Sequence, residues 1–559
     1  MTRNTTTGAE AMVRMLDGYN VRHIFGLCGD TSLPFYDALH RLDHNITHIL
    51  TRDERHAGYM ADAYARVTHK PGVCEGPSGG GATYIAPALI EANDSSIPIL
   101  AITSDVSTTS AGKFPLTELD QEALFAPLTK WNTLLRSSDT LPRSVRRAFS
   151  EMTTGRAGSV HLGLPFNVQK DPVPEDEIWF NSEHDSYPAS PAAPDTKATE
   201  NLLTALLEAE NPVIICGGGV ILSQGESELA QFAETLDIPV ATTVSGQGTL
   251  PDSHPLMLGV VGSNGGQPAT RELIDASDCI FFIGCRAGSV TTQRWRSPPP
   301  STTILHMDRD PSVIGAIYDT KEAMTCDARL GLAALNALAP KASKGGAARV
   351  AKALKKKWPK FEQLAASDET PIKPERVIAT LNHLLPENAI ICADPGTPCP
   401  YFSAWYKWPA QGRHFITNRA HGALGFALGA SIGAQVGSPN SKVIAAMGDG
   451  SFGMSVGELE TIKRLNLPIT ILVFSNAVFG WIKAGQKSGF EERYFSVDFN
   501  RTDHAKIAAA YGLKSYTVED PRKLQTTLKE AIHHDGPTLV DIISQPLQEA
   551  EAPVSEWIA

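Results

Sequence analysis

The sequence predicts an α/β protein of three doubly wound parallel-sheet units, and three observations support this fold class. Short apolar runs alternate with amphipathic stretches along nearly the whole chain, which is typical of strands and helices in parallel sheets. The chain has 559 residues, which is enough for several domains. Two stretches interrupt the alternation: a segment rich in Pro, Asp, Glu and Ser at about 171–197, and a basic helical segment at 341–372. They divide the chain into units at 1–170, 198–340 and 373–559.

Each unit contains apolar segments of strand length. In the first unit the predicted strands are 47–52, 72–76 and 98–105, and the helix ERHAGYMADAYARV follows the first of them. The second unit begins with a strand at 212–219 and continues with VATTV, CIFFIGC and TILHMDRD. The third unit is built on AIICAD, KVIAAM and ITILVFS. Parallel sheets bind ligands at the carboxyl ends of their strands, so residues that follow these strands are the first candidates for a functional site.

The composition excludes several classes of protein. Hydrophobic residues make up 42% of the chain and charged residues 20%, which is typical of a soluble globular protein. The formal net charge is −12 and no block rich in Lys and Arg could follow a phosphate backbone, so we expect no nucleic-acid partner. The 8 cysteines have no zinc-ligand spacing and indicate free thiols in a reducing compartment. The amino terminus lacks a secretory apolar region and no apolar run approaches the ~20 residues of a membrane span, so we expect a cytoplasmic protein without a membrane partner.

The strongest local signal is a Gly-Asp-Gly turn between two apolar strands of the third unit. KVIAAMGDGSFGMSVGELETIKRLNLPITILVFSN has the pattern strand, turn, amphipathic helix, strand, then Asn. A strand-helix-strand crossover makes the two strands parallel, so Asp449 and Asn476 are expected at one edge of one sheet. Their oxygen atoms suit Mg²⁺. Gly448 and Gly450 allow the backbone to approach a diphosphate, and Ser451 at the start of the following helix can donate to it.

This constellation resembles the thiamine-diphosphate fingerprint of the decarboxylase and acetolactate-synthase family. Gly-Asp-Gly alone is usually an ordinary turn, but here it lies between strands and an Asn follows 27 positions after the Asp. The resemblance extends over essentially the whole chain. It implies a pyrimidine-binding unit at 1–170, a central unit at 198–340 and a diphosphate- and Mg-binding unit at 373–559, with thiamine diphosphate and Mg²⁺ as cofactors.

The resemblance also assigns further contacts in the third unit. It makes the backbone carbonyl of Val478 the third metal ligand. In TNRAHGALGFALG, Leu424 would prop thiamine into its bent shape and the Gly422 carbonyl would accept a hydrogen bond from the aminopyrimidine; a place in a buried apolar helix is the alternative for Leu424. ADPGTP at 393–398 would supply further diphosphate donors at Gly396 and Thr397.

A glutamate in the first unit is the candidate for cofactor activation. Thiamine becomes reactive when its C2 proton leaves, and a carboxylate bonded to the pyrimidine ring favours the tautomer that removes it. Such a carboxylate should be desolvated, with a pKa free to rise. Glu54 lies between a strand and a helix in TRDERHAGYMADAYAR, which resembles the E-x-x-A-x-x-M-A-D-x-Y-A-R segment of the family. The alternative for Glu54 is an exposed residue that stabilises a helix N-terminus.

The residues that select the substrate are less defined. Gln121 and Lys130 match acetolactate synthases, but Asp120 stands where those enzymes carry a phenylalanine. Asp30 falls where pyruvate-decarboxylase-like enzymes carry a catalytic Asp, but their adjacent pair of histidines is absent. We therefore predict catalytic roles for Glu54, Gln121 and Asp30 in an acetolactate-synthase-like 2-oxoacid decarboxylase or carboligase with a small carbonyl substrate.

Two other functions stay open as alternatives. TELDQ at 117–121 and the G-x-L-G-x-A-L-G segment resemble oxalyl-CoA decarboxylase and 2-hydroxyacyl-CoA lyase, which act on acyl-CoA thioesters. CGGGV at 216–220 in the central unit allows FAD or the ADP part of CoA, although tight packing is the commoner reason for such glycines. The third hypothesis is a catalytically silent paralogue, but the retention of Glu54, Asp449 and Asn476 argues against it.

The resemblance implies an oligomer as well. In this family the units that share one cofactor come from two subunits, so we expect a homodimer or a homotetramer. The tail EAEAPVSEWIA either folds over the pocket and excludes water or is a frayed terminus.

Overall fold

Three six-stranded parallel sheets, each flanked by helices, form the framework of the protein. They are seen in a computed structural model that describes residues 4–557. The predicted fold class is therefore confirmed. Within the described residues no helix is both long and apolar enough to cross a membrane.

The first sheet lies within residues 23–165 and has the strand order β3-β2-β4-β5-β7-β6. A short antiparallel pair, β1 with β8, lies outside it. The elements, in chain order, are β1 (Thr5–Thr7), α1 (Gly8–Gly18), β2 (His23–Gly26), α2 (Leu33–Arg41), β3 (Thr47–Leu50), α3 (Glu54–Thr68), β4 (Gly72–Gly76), α4 (Gly80–Asp94), β5 (Ile99–Asp105), α5 (Gln121–Phe125), β6 (Trp131–Leu134), α6 (Leu141–Thr153), β7 (Ser159–Pro165), α7 (Phe166–Lys170) and β8 (Pro172–Pro174).

The second sheet has the order β11-β10-β9-β12-β13-β14. Every residue of β9, β10, β11 and β12 is buried, as expected for parallel strands that are covered on both faces. The elements are α8 (Thr196–Glu208), β9 (Pro212–Cys216), α9 (Gly218–Leu222), α10 (Glu226–Leu236), β10 (Val240–Thr242), β11 (Met257–Val260), α11 (Pro268–Asp275), β12 (Cys279–Ile283), β13 (Thr303–Asp308), β14 (Glu322–Thr325) and α12 (Ala328–Leu338).

The third sheet has the order β16-β15-β17-β18-β20-β19. The basic segment before it forms one long helix, α13. The elements are α13 (Gly346–Ala365), α14 (Pro374–Leu384), β15 (Ile390–Ala393), α15 (Pro398–Trp405), β16 (Phe415–Thr417), α16 (Phe426–Gly437), β17 (Val443–Gly448), α17 (Asp449–Gly453), α18 (Leu459–Arg464), β18 (Thr470–Ser475), α19 (Gly480–Gly489), α20 (His504–Ala510), β19 (Lys514–Val518), α21 (Pro521–Ile532) and β20 (Thr538–Ile543).

The segment after the Gly-Asp-Gly turn differs from the single amphipathic helix that we expected. It consists of the short helix α17, a 3₁₀ turn at Val456–Glu458 and the short helix α18. Gly453 is the last residue of α17, and Gly457 is the middle residue of the 3₁₀ turn. Glycine loses more conformational entropy than other residues in a helix, so two of them within five positions favour a break.

Contacts group the chain into two compact units. The first comprises Met1–Ser190, Asn418–Asn440 and Ser455–Leu467, and the second comprises Pro191–Thr417, Ser441–Met454 and Pro468–Ala559. In the first unit α16 packs closely on α3, since a Cβ at Gly433 would lie 2.0 Å from the Met60 carbonyl oxygen. The boundaries that we expected at 1–170, 198–340 and 373–559 stay a prediction.

Candidate functional site

Three neighbouring strands of the third sheet end in loops that carry predicted cofactor residues. β15, β17 and β18 are parallel neighbours, and Gly448 at the end of β17 aligns with Phe474 of β18. Asp449 and Asn476 therefore follow two adjacent strands at one edge of the sheet. Thr397, which is buried, lies in the loop after β15 at the same edge. The structure thus places Asp449 and Asn476 at one edge of the sheet, as the crossover pattern indicated.

The Asp449 carboxylate is buried and hydrogen-bonded to the neighbouring loop. Its Oδ2 accepts the backbone N–H groups of Asn476 at 2.8 Å and of Ala477 at 2.6 Å, and its Oδ1 accepts that of Gly450 at 2.9 Å. Ala477 has a left-handed φ of +57°, which costs energy for a residue with a Cβ. The carboxylate therefore holds the strained turn that sets the direction of Asn476 and of the Val478 carbonyl.

The chemistry of these groups fits a magnesium ion. Burial raises the pKa of the Asp449 carboxyl, and a cation would compensate the charge that burial disfavours. The side-chain nitrogen of Asn476 is buried and has no hydrogen-bond partner among the described residues, so it is available to a phosphate oxygen. No group of three or more His, Cys, Asp or Glu with metal-binding geometry occurs within residues 4–557. A site with one carboxylate suits Mg²⁺, which keeps several water and phosphate ligands.

Glycine suits these loops for two different physical reasons: open space for a ligand at some positions and close packing at another. A Cβ at Gly448 or at Gly396 would meet no other atom within 4 Å, so the backbone there is open to a ligand. A Cβ at Gly450 would instead lie 2.7 Å from the ring of Phe479. Gly450 is therefore required by packing. Ser451 is buried at the start of α17.

Leu424 and Gly422 lie in a loop immediately before α16. This loop lies in 418–440, a stretch that belongs to the first of the two compact units. Leu424 is partly exposed and not helical, so the alternative of a buried helical residue is wrong. Gly422 is exposed with a φ of +76°. The loop is held by the buried Glu91 carboxylate, whose Oε2 accepts the backbone N–H groups of Ala420 at 3.2 Å and of His421 at 2.7 Å. Sequence reasoning missed Glu91, although an acidic residue in the apolar run of α4 was a signal for it.

Glu54 is the first residue of α3 and is buried, with 6% of its surface exposed. It is not the solvated helix-end residue that was the alternative. Burial raises the pKa of its carboxyl, and the negative charges of Asp53 and Glu75 act in the same direction. A Cβ at Gly81 would lie 3.0 Å from the Glu54 Oε1, so the glycine leaves space beside the carboxylate. A desolvated carboxyl with a raised pKa is suited to exchanging a proton.

The two other predicted catalytic residues have different surroundings. Gln121 is buried: its side-chain oxygen accepts from the Thr103 hydroxyl, and its nitrogen donates to the Ser104 carbonyl at 3.0 Å. Asp30 is exposed, and its Oδ1 accepts the backbone N–H of Thr31 at 2.9 Å. Both amide ends of Gln121 are thus engaged within the protein, whereas the Asp30 carboxylate faces solvent.

Another buried glutamate of the first unit, besides Glu54 and Glu91, was not anticipated. Glu75 on β4 is 1% exposed, accepts from the Tyr36 hydroxyl and lies 3.3 Å from His48 Nε2. Burial raises the pKa of its carboxyl. A charged residue inside the apolar strand GVCEG was the sequence signal for this cluster.

In the central unit, packing explains two glycines of the run of three. A Cβ at Gly217 would lie 2.0 Å from the Gly284 carbonyl oxygen, and one at Gly219 would lie 2.6 Å from the Gly284 Cα. The backbones after β9 and β12 approach each other closely, so these two glycines need no nucleotide to account for them.

Models of one protein family match segments that contain strands of each of the three sheets. Residues 6–124 match the N-terminal TPP binding domain of thiamine pyrophosphate enzymes, 199–336 their central domain and 396–542 their C-terminal TPP binding domain. Similar proteins over nearly the full chain agree with these matches. A probable acetolactate synthase large subunit of Methanococcus aeolicus is 35% identical over 96% of this chain and 92% of its own length. The chain belongs to the thiamine pyrophosphate enzyme family.

Two further relatives are also named as acetolactate synthase large subunits. The acetolactate synthase large subunit of Lactococcus lactis is 32% identical over 96% of this chain and 92% of its own length. The acetolactate synthase isozyme 1 large subunit of Escherichia coli is 30% identical over 97% and 94%. Within this acetolactate-synthase-like thiamine pyrophosphate enzyme, Glu54 lies in the N-terminal match, and Gly422, Leu424, Asp449 and Asn476 lie in the C-terminal match.

Proposed function

We propose that this thiamine pyrophosphate enzyme is a Mg²⁺-dependent carboligase that forms acetolactate or a close homologue from 2-oxoacids. The observation that supports it most is the turn after β17, where Asp449 accepts the backbone N–H groups of Asn476 and Ala477. Full-length similarity to acetolactate synthase large subunits supports the substrate class.

The diphosphate end of the cofactor is assigned to the third sheet. Asp449, Asn476 and the Val478 carbonyl would hold Mg²⁺, with water and diphosphate oxygens as its other ligands. The open backbone at Gly448 and Gly396 and the hydroxyl groups of Ser451 and Thr397 would receive the diphosphate, and Gly450 would let the turn pack against Phe479. These groups bind and orient, and they take no part in the bond changes.

The reactive end is assigned to residues of the first unit. When bound, thiamine diphosphate supplies the electron sink for breaking and forming a bond next to a carbonyl. Glu54 would hold a proton at the aminopyrimidine ring, and the rise of its pKa on burial acts in favour of the protonated form. Leu424 would support the bent cofactor, and the Gly422 carbonyl would accept from its amino group. Asp30 is exposed and follows β2, at the edge of the first sheet where Glu54 follows the neighbouring parallel strand β3. It is the candidate for substrate protonation.

We place Gln121 in a supporting position. Its amide is engaged with Thr103 and Ser104, so it would orient the end of β5 instead of contacting the substrate. We also propose that the enzyme is a homodimer or a homotetramer and that it is cytoplasmic. Eight free cysteines, seven of them buried, are compatible with a reducing compartment.

The test is product analysis with the purified enzyme, thiamine diphosphate and Mg²⁺. With pyruvate alone, we expect the enzyme to form acetolactate, identified by mass spectrometry. After removal of Mg²⁺ with a chelator, we expect no product. Release of acetaldehyde only would indicate a simple decarboxylase.

A second arm supplies formyl-CoA with an aldehyde or ketone. A 2-hydroxyacyl-CoA from this arm, with no product from pyruvate, would overturn the proposal in favour of an acyl-CoA lyase. Absence of bound thiamine diphosphate after reconstitution would favour a silent paralogue. Either result would leave the fold assignment intact.

A further inference from the structure

A buried imidazole lies behind the metal-binding loops and belongs to no predicted site. His504, at the start of α20, is 5% exposed. Its Nδ1 lies 2.9 Å from the Ser475 Oγ and 3.2 Å from the Asp541 Oδ1, and its backbone N–H donates to the Asp541 Oδ2 at 3.2 Å. Because a carboxylate can only accept, the proton of the ring is assigned to Nδ1. Asp541 and Ser475 lie on the neighbouring strands β20 and β18.

These three residue types also occur in hydrolytic triads, but the geometry here is different. In a hydrolytic triad the carboxylate and the serine contact opposite nitrogens of the ring, so that a proton can pass between them. Here both oxygens face the same nitrogen. Ser475 is only 2% exposed and therefore has no access to a substrate. The cluster is suited to holding the chain in place.

The same imidazole ring also contacts α17, the segment that carries the proposed metal ligand Asp449. The Phe452 ring packs against it edge to face, with centroids 5.3 Å apart and an interplanar angle of 86°. Phe452 lies in α17, three residues after Asp449, while Ser475 immediately precedes Asn476. One imidazole therefore touches both segments from which the proposed metal ligands project.

The position of Asn476 depends on small backbone shifts. Ser475 is the last residue of β18, and the left-handed Ala477 follows two positions later. A strained turn keeps its conformation only when the surroundings fix it. Asp449 fixes it from one side through the two backbone N–H groups, and the hydrogen bond at Ser475 fixes its entry from the strand.

We propose that His504 is a positioning residue of the metal site, which fixes the segments that carry Asp449 and Asn476. The inference rests on the proposed Mg²⁺ site. Loss of the His504 side chain should weaken binding of the metal. It should leave the chemical step largely unchanged once the metal is saturating. Outer groups that orient metal ligands typically change metal affinity by about 10–100-fold.

The test measures binding of Mn²⁺ to the enzyme with thiamine diphosphate present, by electron paramagnetic resonance. His504→Phe keeps a ring against Phe452 and removes the Nδ1 bonds, so we expect about 10–100-fold weaker Mn²⁺ binding. His504→Asn places a donor near the former Nδ1 and should recover part of the loss. In both variants kcat at saturating Mg²⁺ should stay within about threefold of the wild type, since the lost interaction is equal in ground and transition states.

His306→Phe is the matched control. His306 is a buried histidine of the central sheet, whose Nε2 lies 2.9 Å from the Cys285 carbonyl oxygen and whose ring packs on Phe282. Its replacement should leave Mn²⁺ affinity unchanged. An equal loss in His306→Phe and His504→Phe, or no loss in His504→Phe, would overturn the proposal.

Ser475→Ala decides the question if His504→Phe does not fold. It removes one hydroxyl from the same cluster, and we expect about fivefold weaker Mn²⁺ binding, as for the loss of one hydrogen bond. Unchanged affinity in Ser475→Ala would contradict the role of His504. If the wild-type enzyme binds no Mn²⁺ with thiamine diphosphate, the proposed function fails; if it binds and the variants equal it, only this inference fails.

Discussion

Replacement of Glu54 by Gln separates the chemical role of this carboxyl from its structural role. Gln has nearly the same shape, so the packing beside Gly81 should be preserved. A positioned acid or base typically contributes about 10²–10⁴ to a rate. We therefore expect Glu54→Gln to lower kcat by about 10²–10⁴, while thiamine diphosphate binding, held mainly at the diphosphate end, weakens only slightly.

The same substitution should make the cofactor-free protein more stable at neutral pH. Glu54 has a raised pKa in the folded state, so its stabilising contribution is present below its unfolded pKa of about 4.3 and is lost as pH rises through the folded pKa. Each unit of increase corresponds to about 1.4 kcal/mol of destabilisation above the folded pKa. Gln does not titrate, so the variant avoids this cost. Single stabilising substitutions commonly contribute about 0.5–2 kcal/mol, and we expect the gain to lie in this range.

The assays are acetolactate production under saturating cofactor and thermal unfolding of the cofactor-free protein at pH 7.5 and pH 5. The unfolding midpoint of Glu54→Gln should exceed that of the wild type at pH 7.5, and the difference should shrink at pH 5. Near-normal turnover in Glu54→Gln, or a stability difference that grows as pH falls, would refute this reasoning.

Three substitutions test the packing and the strained turn, each by the midpoint of chemical or thermal unfolding. Gly217→Ala should destabilise the central unit by about 1–3 kcal/mol, because its Cβ would lie 2.0 Å from the Gly284 carbonyl oxygen; an unchanged midpoint would show that these glycines are not needed for packing. Gly433→Ala should destabilise the first unit similarly, because its Cβ would lie 2.0 Å from the Met60 carbonyl oxygen. Ala477→Gly should raise stability by up to about 1 kcal/mol, because glycine adopts the left-handed φ without strain; a clear decrease would mean that the turn is not strained.

The fold and the core of the candidate site were predictable because they depend on local patterns. Apolar runs such as KVIAAM and ITILVFS, joined by a helical crossover, favour a pair of parallel strands in one sheet. The placement of Asp449 beside Asn476 follows from that topology. The proposal that Glu54 is a cofactor residue depended on the family segment around it, since burial at the start of a helix leaves no periodic signal, and this role stays a prediction.

Other features depend on contacts between distant parts of the chain. Glu91 holds the loop before Leu424 from a helix more than 300 positions earlier. Glu75 on β4 contacts Tyr36 of α2 and His48 of β3. Patterns of neighbouring residues carry no information on such partners. The helix expected after Asp449 was broken because two glycines outweighed its amphipathic pattern.

The contacts of the carboxyl-terminal tail could not be predicted from neighbouring residues either. Trp557 packs against Trp481 with ring centroids 5.1 Å apart, and the Gly265 backbone N–H donates to the Pro553 carbonyl at 2.8 Å. The tail is therefore packed on the second unit through residue 557, and the expectation of a frayed terminus is wrong for this part. Its sequence contained an aromatic residue but no indication of where that residue would bind.

Equilibrium binding of thiamine diphosphate, measured by calorimetry with and without Mg²⁺, tests the central claim most directly. The wild type should bind one cofactor per chain only with Mg²⁺, and Asp449→Asn, which cannot accept both backbone N–H groups of Asn476 and Ala477 through one charged oxygen, should lose that binding. Equal binding in the wild type and Asp449→Asn, or binding that ignores Mg²⁺, would contradict the account.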